Sequence, residues 1–67
     1  MNDQLDPIMQ FFKFYHLPPR LQVVSSFFYD AAHKIVATVP RNAERTVALR
    51  KLLESKDAAV RAAIAAP

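Results

Sequence analysis

An all-α fold is what this sequence predicts: a short N-terminal helix followed by an antiparallel helical hairpin. Three observations predict it. Prolines at positions 7, 18, 19 and 40 divide the chain into three segments. The two longer segments carry apolar residues at helical spacing. The link between them, around "PRNA", is short, and short connections put neighbouring helices side by side.

The first segment, about 6–15, opens with Asp6-Pro7, a start signal in which Asp is the N-cap and Pro the first helical residue. The following "IMQFFKFY" is apolar nearly all round, so a short helix here must be buried on several sides; a strand is the weaker alternative. "HLPP" then breaks the chain, because a residue before proline avoids the helical region. The second segment, about 19–39, places Leu21, Val24, Phe28, Ala31 and Ile35 on one stripe, with Gln22, Ser26, Asp30, His33 and Lys34 opposite. Pro40 ends it. The third, about 42–66, starts at Asn42, a good N-cap. Its apolar side carries Leu49, Leu52, Ala59, Val60 and Ala63, and its outer face Arg50, Glu54, Asp57 and Arg61.

Sixty-seven residues make a single domain, 1–67, that is marginal alone because so short a chain buries only about 60% of its unfolded surface. The usual rescues are disulfides, a metal or self-association. Cysteine is absent, and the two histidines, His16 and His33, have no clustered carboxylates to complete a metal site. Self-association remains. Val23, Phe27 and Val36 add to stripes that one hairpin cannot cover, an aggregation hazard unless they form an interface. The expectation is a compact homo-oligomer.

Several function classes drop out. Glycine is absent, which excludes Gly-rich phosphate loops and the dinucleotide fingerprint. No apolar run approaches the roughly 20 residues of a membrane span. "MNDQLDPIMQFF" has an early Asp pair and no basic start, so no signal peptide is expected and the chain reads as soluble and intracellular. A net charge of +3 mildly favours anionic partners, but nine basic residues against six acidic ones form no continuous stripe, so long nucleic acid is not expected. No nucleophile, base and oxyanion donor can be assembled from Ser25, Ser26 and His33, so no catalysis and no cofactor are expected.

Some residues sit where packing alone would not put them. Arg45, Leu49, Leu52, Lys56, Ala59 and Ala63 follow an alternating spacing of four and three, so two cations occupy seam positions that are normally apolar. Lys56 is read first as a stem that snorkels its head to water. Arg45 lies in the first helical turn, where the dipole disfavours a cation. Either Glu44 compensates it, or it helps the helix N-terminus and Thr46 hold an anion. Tyr15 and His16, at the Pro-Pro break, either pack or stack on a base, since an aromatic face accepts any nucleobase.

"FYHLPP", the amphipathic helix, and then "PRNAERTVALRKLLE" resemble the small phage anti-CBASS sponges, and equally the helical hairpin shared with the anti-Thoeris sponges. That group shows an aromatic-Tyr-His-x-Pro start and a segment of the form E-R-S/T-x-A-L-x-K-L-x-E. The matching residues here are Tyr15, His16 and Pro18, then Glu44, Arg45, Thr46, Ala48, Leu49, Lys51, Leu52 and Glu54. The resemblance implies a non-enzymatic protein that captures cyclic di- or trinucleotide messengers in the host cytoplasm. It also implies a homo-oligomer, typically a hexamer, with sites between protomers.

Tyr15, His16, Arg45 and Thr46 are the ligand residues carried over, with Arg45 repeated around a symmetry axis. A family basic residue early in the first long helix falls on Ser25, with Arg20 a substitute a turn earlier; Lys56 is a further candidate. "SKDAAVRAA" stands where the family often carries "M-W-A-N". The alternative function is a helical adaptor that inhibits a host protein through its apolar surface.

Overall fold

The computed structural model describes residues 6–65, and among them every regular element is helical. A 3₁₀ helix over Pro7–Phe12 is followed by α1, Pro19–Thr38, and α2, Ala43–Ala65. The two long helices are antiparallel. The start of α1 meets the end of α2 where Arg20 Nη1 donates to the Ala63 carbonyl at 3.1 Å. At the other end Arg45 in α2 donates to the Val36 carbonyl of α1. Residue 66, expected inside the last helix, lies outside the described residues, as do residues 1–5.

The first segment is shorter and tighter than the expected helix over 6–15. Its 3₁₀ repeat stacks residues three apart, which aims Met9 and Phe12 into the hairpin from one edge. Lys13 is already extended at φ −63°, ψ 143°. A turn follows, closed by Leu17 N–H donating to the Phe14 carbonyl at 3.1 Å. Asp6 occupies the N-cap position, but its side chain makes no capping bond. The carboxylate is taken by arginines from another part of the chain.

Asn42 caps α2 as its sequence predicts, its side-chain oxygen accepting the Arg45 backbone N–H at 2.9 Å. The expected seam of α2 also faces inward: Arg45 and Leu49 are buried, and Leu52, Lys56, Ala59 and Ala63 are half-buried.

On α1 the buried line is turned by about one residue from the expected stripe. Leu21, Ser25, Ala32 and Val36 are buried, whereas Val24, Phe28, Ala31 and Ile35 are half-buried. Val36, expected to widen the exposed surface, packs in the core with Met9, Phe12, Ala32 and Leu49. The reason is the third layer. Phe12 is completely buried and Met9 nearly so, and their bulk sits against the hairpin where small residues on α1 make room. The remaining expectation holds, since Val23 and Phe27 are 62% and 64% exposed.

Candidate functional site

Arg45 ties all three elements together. Its residue is 4% exposed. Nη2 lies 2.6 Å from the Asp6 carboxylate, and Nη1 donates to the carbonyls of Val36 and Val39 at 3.3 and 3.2 Å. Pro40 explains the first carbonyl. It has no N–H, so the helical bond that residue 40 would give to Val36 cannot form, and the guanidinium supplies a donor instead. Arg41 adds a second contact to Asp6 at 3.0 Å. The anion that answers Arg45 is therefore the chain's own Asp6, and the pair clamps the 3₁₀ helix onto the hairpin.

The residues singled out in the sequence fall in separate places. Ser25 is fully buried in the hairpin, its hydroxyl without a hydrogen-bond partner among the described residues. Arg20 is engaged with the last turns of α2. Thr46 is exposed, donates to the Asn42 carbonyl at 3.3 Å, and borders a shallow groove with Pro7, Ile8 and Arg50. Tyr15 is 66% exposed and belongs to an aromatic row. Its ring stacks on Phe14 at 4.6 Å, Phe14 meets Tyr29 edge-on at 5.2 Å, and Tyr29 lies 4.3 Å from His33. The hydrogen bond with Tyr15, and then burial, push the Tyr29 phenol above its ordinary value of 10.0.

His16 and Lys56 are brought together. Both line a cleft of about 420 Å³ between the 3₁₀ helix with its following loop and the C-terminal half of α2. Phe11, Lys13, Asp57 and Arg61 line it as well. Three full cations face one carboxylate there, and that carboxylate, Asp57, pairs with Lys56 at 3.3 Å. Phe11, 55% exposed, supplies an aromatic face. The loop that carries His16 is fastened from α1, where the Gln22 carboxamide donates to the Leu17 carbonyl at 2.8 Å.

Phe11, Lys13 and Arg61 were not singled out as binding residues from the sequence. Arg61 reads there as an ordinary outer-face cation, and the first two read as part of a buried helix. The available signal was the Phe11-Phe12-Lys13 run at the end of so short a segment, which cannot bury every aromatic side chain. Asp6 had none as an ion-pair partner, since it stands 39 positions from Arg45.

The cleft combines cations, an imidazole and an aromatic face, the chemistry for phosphate contact and ring stacking. No cluster of three His, Cys, Asp or Glu side chains able to hold a metal ion occurs among the described residues. No protein-family model, curated protein or solved structure matches this chain.

Proposed function

We propose that this protein binds cyclic oligonucleotide second messengers and sequesters them without cleaving them, as a homo-oligomer in the cytoplasm of an infected host. The observation that carries the reading is the basic cleft. Lys13, Lys56 and Arg61 meet phosphates, Phe11 takes a base face, and His16 contacts a base edge or ribose. The volume of about 420 Å³ falls within the ~300–1,000 Å³ of small-molecule sites. Arg45 serves this site as a positioning residue. It holds Asp6, Asp6 anchors the 3₁₀ helix, and that helix carries Phe11 to the cleft with Lys13 directly after it.

The non-enzymatic part is supported by the separate placement of Ser25 and His33. Ser25 is buried while His33 is exposed with its ring tilted beside Tyr29, so the two cannot act as nucleophile and base. The assembly is supported by the small core, in which Phe12 and Leu49 are the largest fully buried apolar side chains among the described residues, and by the outward line of Val23 and Phe27. A second copy that covers that line supplies the apolar burial a lone hairpin lacks. The same exposed line favours the adaptor reading, in which a host protein covers it.

Thermal melting across cyclic di- and trinucleotides separates the two. A ligand that binds only the native state at 100 times its Kd stabilises it by about 2.7 kcal/mol. For a domain of this size that is a rise of about 10–20 °C. Heat-denatured complex should return intact ligand by chromatography. No shift with any cyclic nucleotide overturns the reading in favour of the adaptor, and a linear product formed at a catalytic rate overturns the non-enzyme part.

A further inference from the structure

A second groove lies on the other side of the 3₁₀ helix, facing α1. Its volume is about 300 Å³, and Met9, Gln10, Lys13, Tyr29 and His33 line it, with Asp6 and Pro7 at one end. This is the small end of ligand-site volumes, about 300–1,000 Å³. It suits one ring system and is too small to enclose a cyclic oligonucleotide.

Tyr29 and His33 are one helical turn apart on α1, so their rings stand side by side along one wall. Their centroids are 4.3 Å apart and their planes tilted by 51°. Tyr29 is held from behind by edge contacts with Phe14 and Tyr15 at 5.2 and 6.1 Å. The wall is thus set before any ligand arrives. Met9, 8% exposed, makes an apolar, polarizable floor. The Gln10 amide is pinned by donating to the Pro7 carbonyl at 3.0 Å. Asp6 faces Arg41 and Arg45 and its charge is answered there.

Lys13 and Gln10 border both this groove and the basic cleft. A phosphate held at Lys13 therefore has an aromatic face on either side of the 3₁₀ helix, Phe11 on one and Tyr29 with His33 on the other. The geometry points to the Tyr29–His33 groove as a base-stacking subsite for one nucleobase of a cyclic oligonucleotide, with the adjoining phosphate on Lys13. The inference rests on the proposed cyclic-oligonucleotide function and adds a subsite and its ligand class to it. It gives Tyr15, exposed and outside the basic cleft, the role of a buttress behind Tyr29.

The test uses the full chain with cyclic diadenylate and cyclic triadenylate as probes, read by calorimetry and by the NMR signals of the His33 ring. His33→Ala and Tyr29→Leu should each weaken binding about tenfold or more, in line with the loss of one base–aromatic stack. His33 is exposed, so its variant should melt like wild type without ligand, which keeps the test decisive if Tyr29→Leu is unstable. Ligand should shift the His33 ring signals in wild type. If His33→Ala binds as wild type does and the wild-type His33 ring signals never move on adding ligand, while Lys56→Ala and Arg61→Ala lose affinity, the subsite is wrong and the sequestration function stands. If no protein binds either probe, both fall together.

Discussion

Replacing Arg45 by Met keeps much of the side-chain volume and removes the guanidinium from all three elements at once. Asp6 loses a partner at 2.6 Å, and the Val36 and Val39 carbonyls lose donors at 3.3 and 3.2 Å. Breaking a buried ion pair costs about 3–5 kcal/mol. Asp6 retains Arg41 at 3.0 Å, and its side chain keeps 15% exposure, so part of its charge stays compensated. That places the loss near the lower end, at about 3 kcal/mol. Each kcal/mol moves the midpoint of so small a domain by about 4–8 °C, so the melting temperature should fall by about 12–24 °C.

Urea unfolding followed by far-UV circular dichroism measures the change directly, with the m-value unchanged if the native surface is preserved. Arg45→Lys should recover part of the loss, because an ammonium keeps the charge but cannot fork between a carboxylate and two carbonyls. A double-mutant cycle with Asp6→Asn should show coupling of at least about 1 kcal/mol, as expected for residues in direct contact. A variant Arg45→Met that unfolds within about 0.5 kcal/mol of wild type, the scatter of ordinary surface changes, would refute the clamp. If that variant also lost affinity for a cyclic trinucleotide, the guanidinium would belong to an external phosphate, as the sequence alone allows.

Four further outcomes follow from the packing and charge. Phe27→Asp, at a 64% exposed position, should dissociate the proposed homo-oligomer while leaving helicity intact by circular dichroism; sedimentation of wild type as a folded monomer at micromolar concentration would contradict it. Phe28→Asp should instead unfold the chain, because Phe28 packs against the core. Ser25→Ala should be neutral or stabilising by about 1 kcal/mol, since it removes a buried hydroxyl with no partner among the described residues; a clear loss of stability would mean that hydroxyl is satisfied. For Tyr29 the folded phenol titrates above its ordinary 10.0, first through its hydrogen bond with Tyr15 and then through burial. Its contribution to stability is fully present below that value and is lost as pH rises through the folded value. Tyr29→Phe should flatten the alkaline slope of the urea midpoint.

The amino-acid sequence determines what depends on neighbours along the chain. Pro19 starts α1 and Pro40 follows its end, Asn42 caps α2, and the four-three spacing from Arg45 to Ala63 names the inward face of α2. These are short-range rules: a missing N–H, a side-chain oxygen three residues from a free donor, a period near 3.6. The 3₁₀ form of the first segment and the turned face of α1 were decided by tertiary packing. A helix with Val24, Phe28, Ala31 and Ile35 on one stripe and Ala32 and Val36 beside it has two acceptable inward lines. The line that wins is the one leaving room for Met9 and Phe12 from a third layer.

The site followed the same division. That Arg45 is out of place on an apolar seam is legible from its spacing. That its anion is Asp6 is not, because a side chain states a need for a partner and carries no address for it. His16 and Lys56 could be named from the sequence, but their meeting with Phe11, Lys13 and Arg61 exists only once the 3₁₀ helix lies across α2. Local chemistry selects the elements, and the shape left between packed elements, which no single segment contains, selects the cleft.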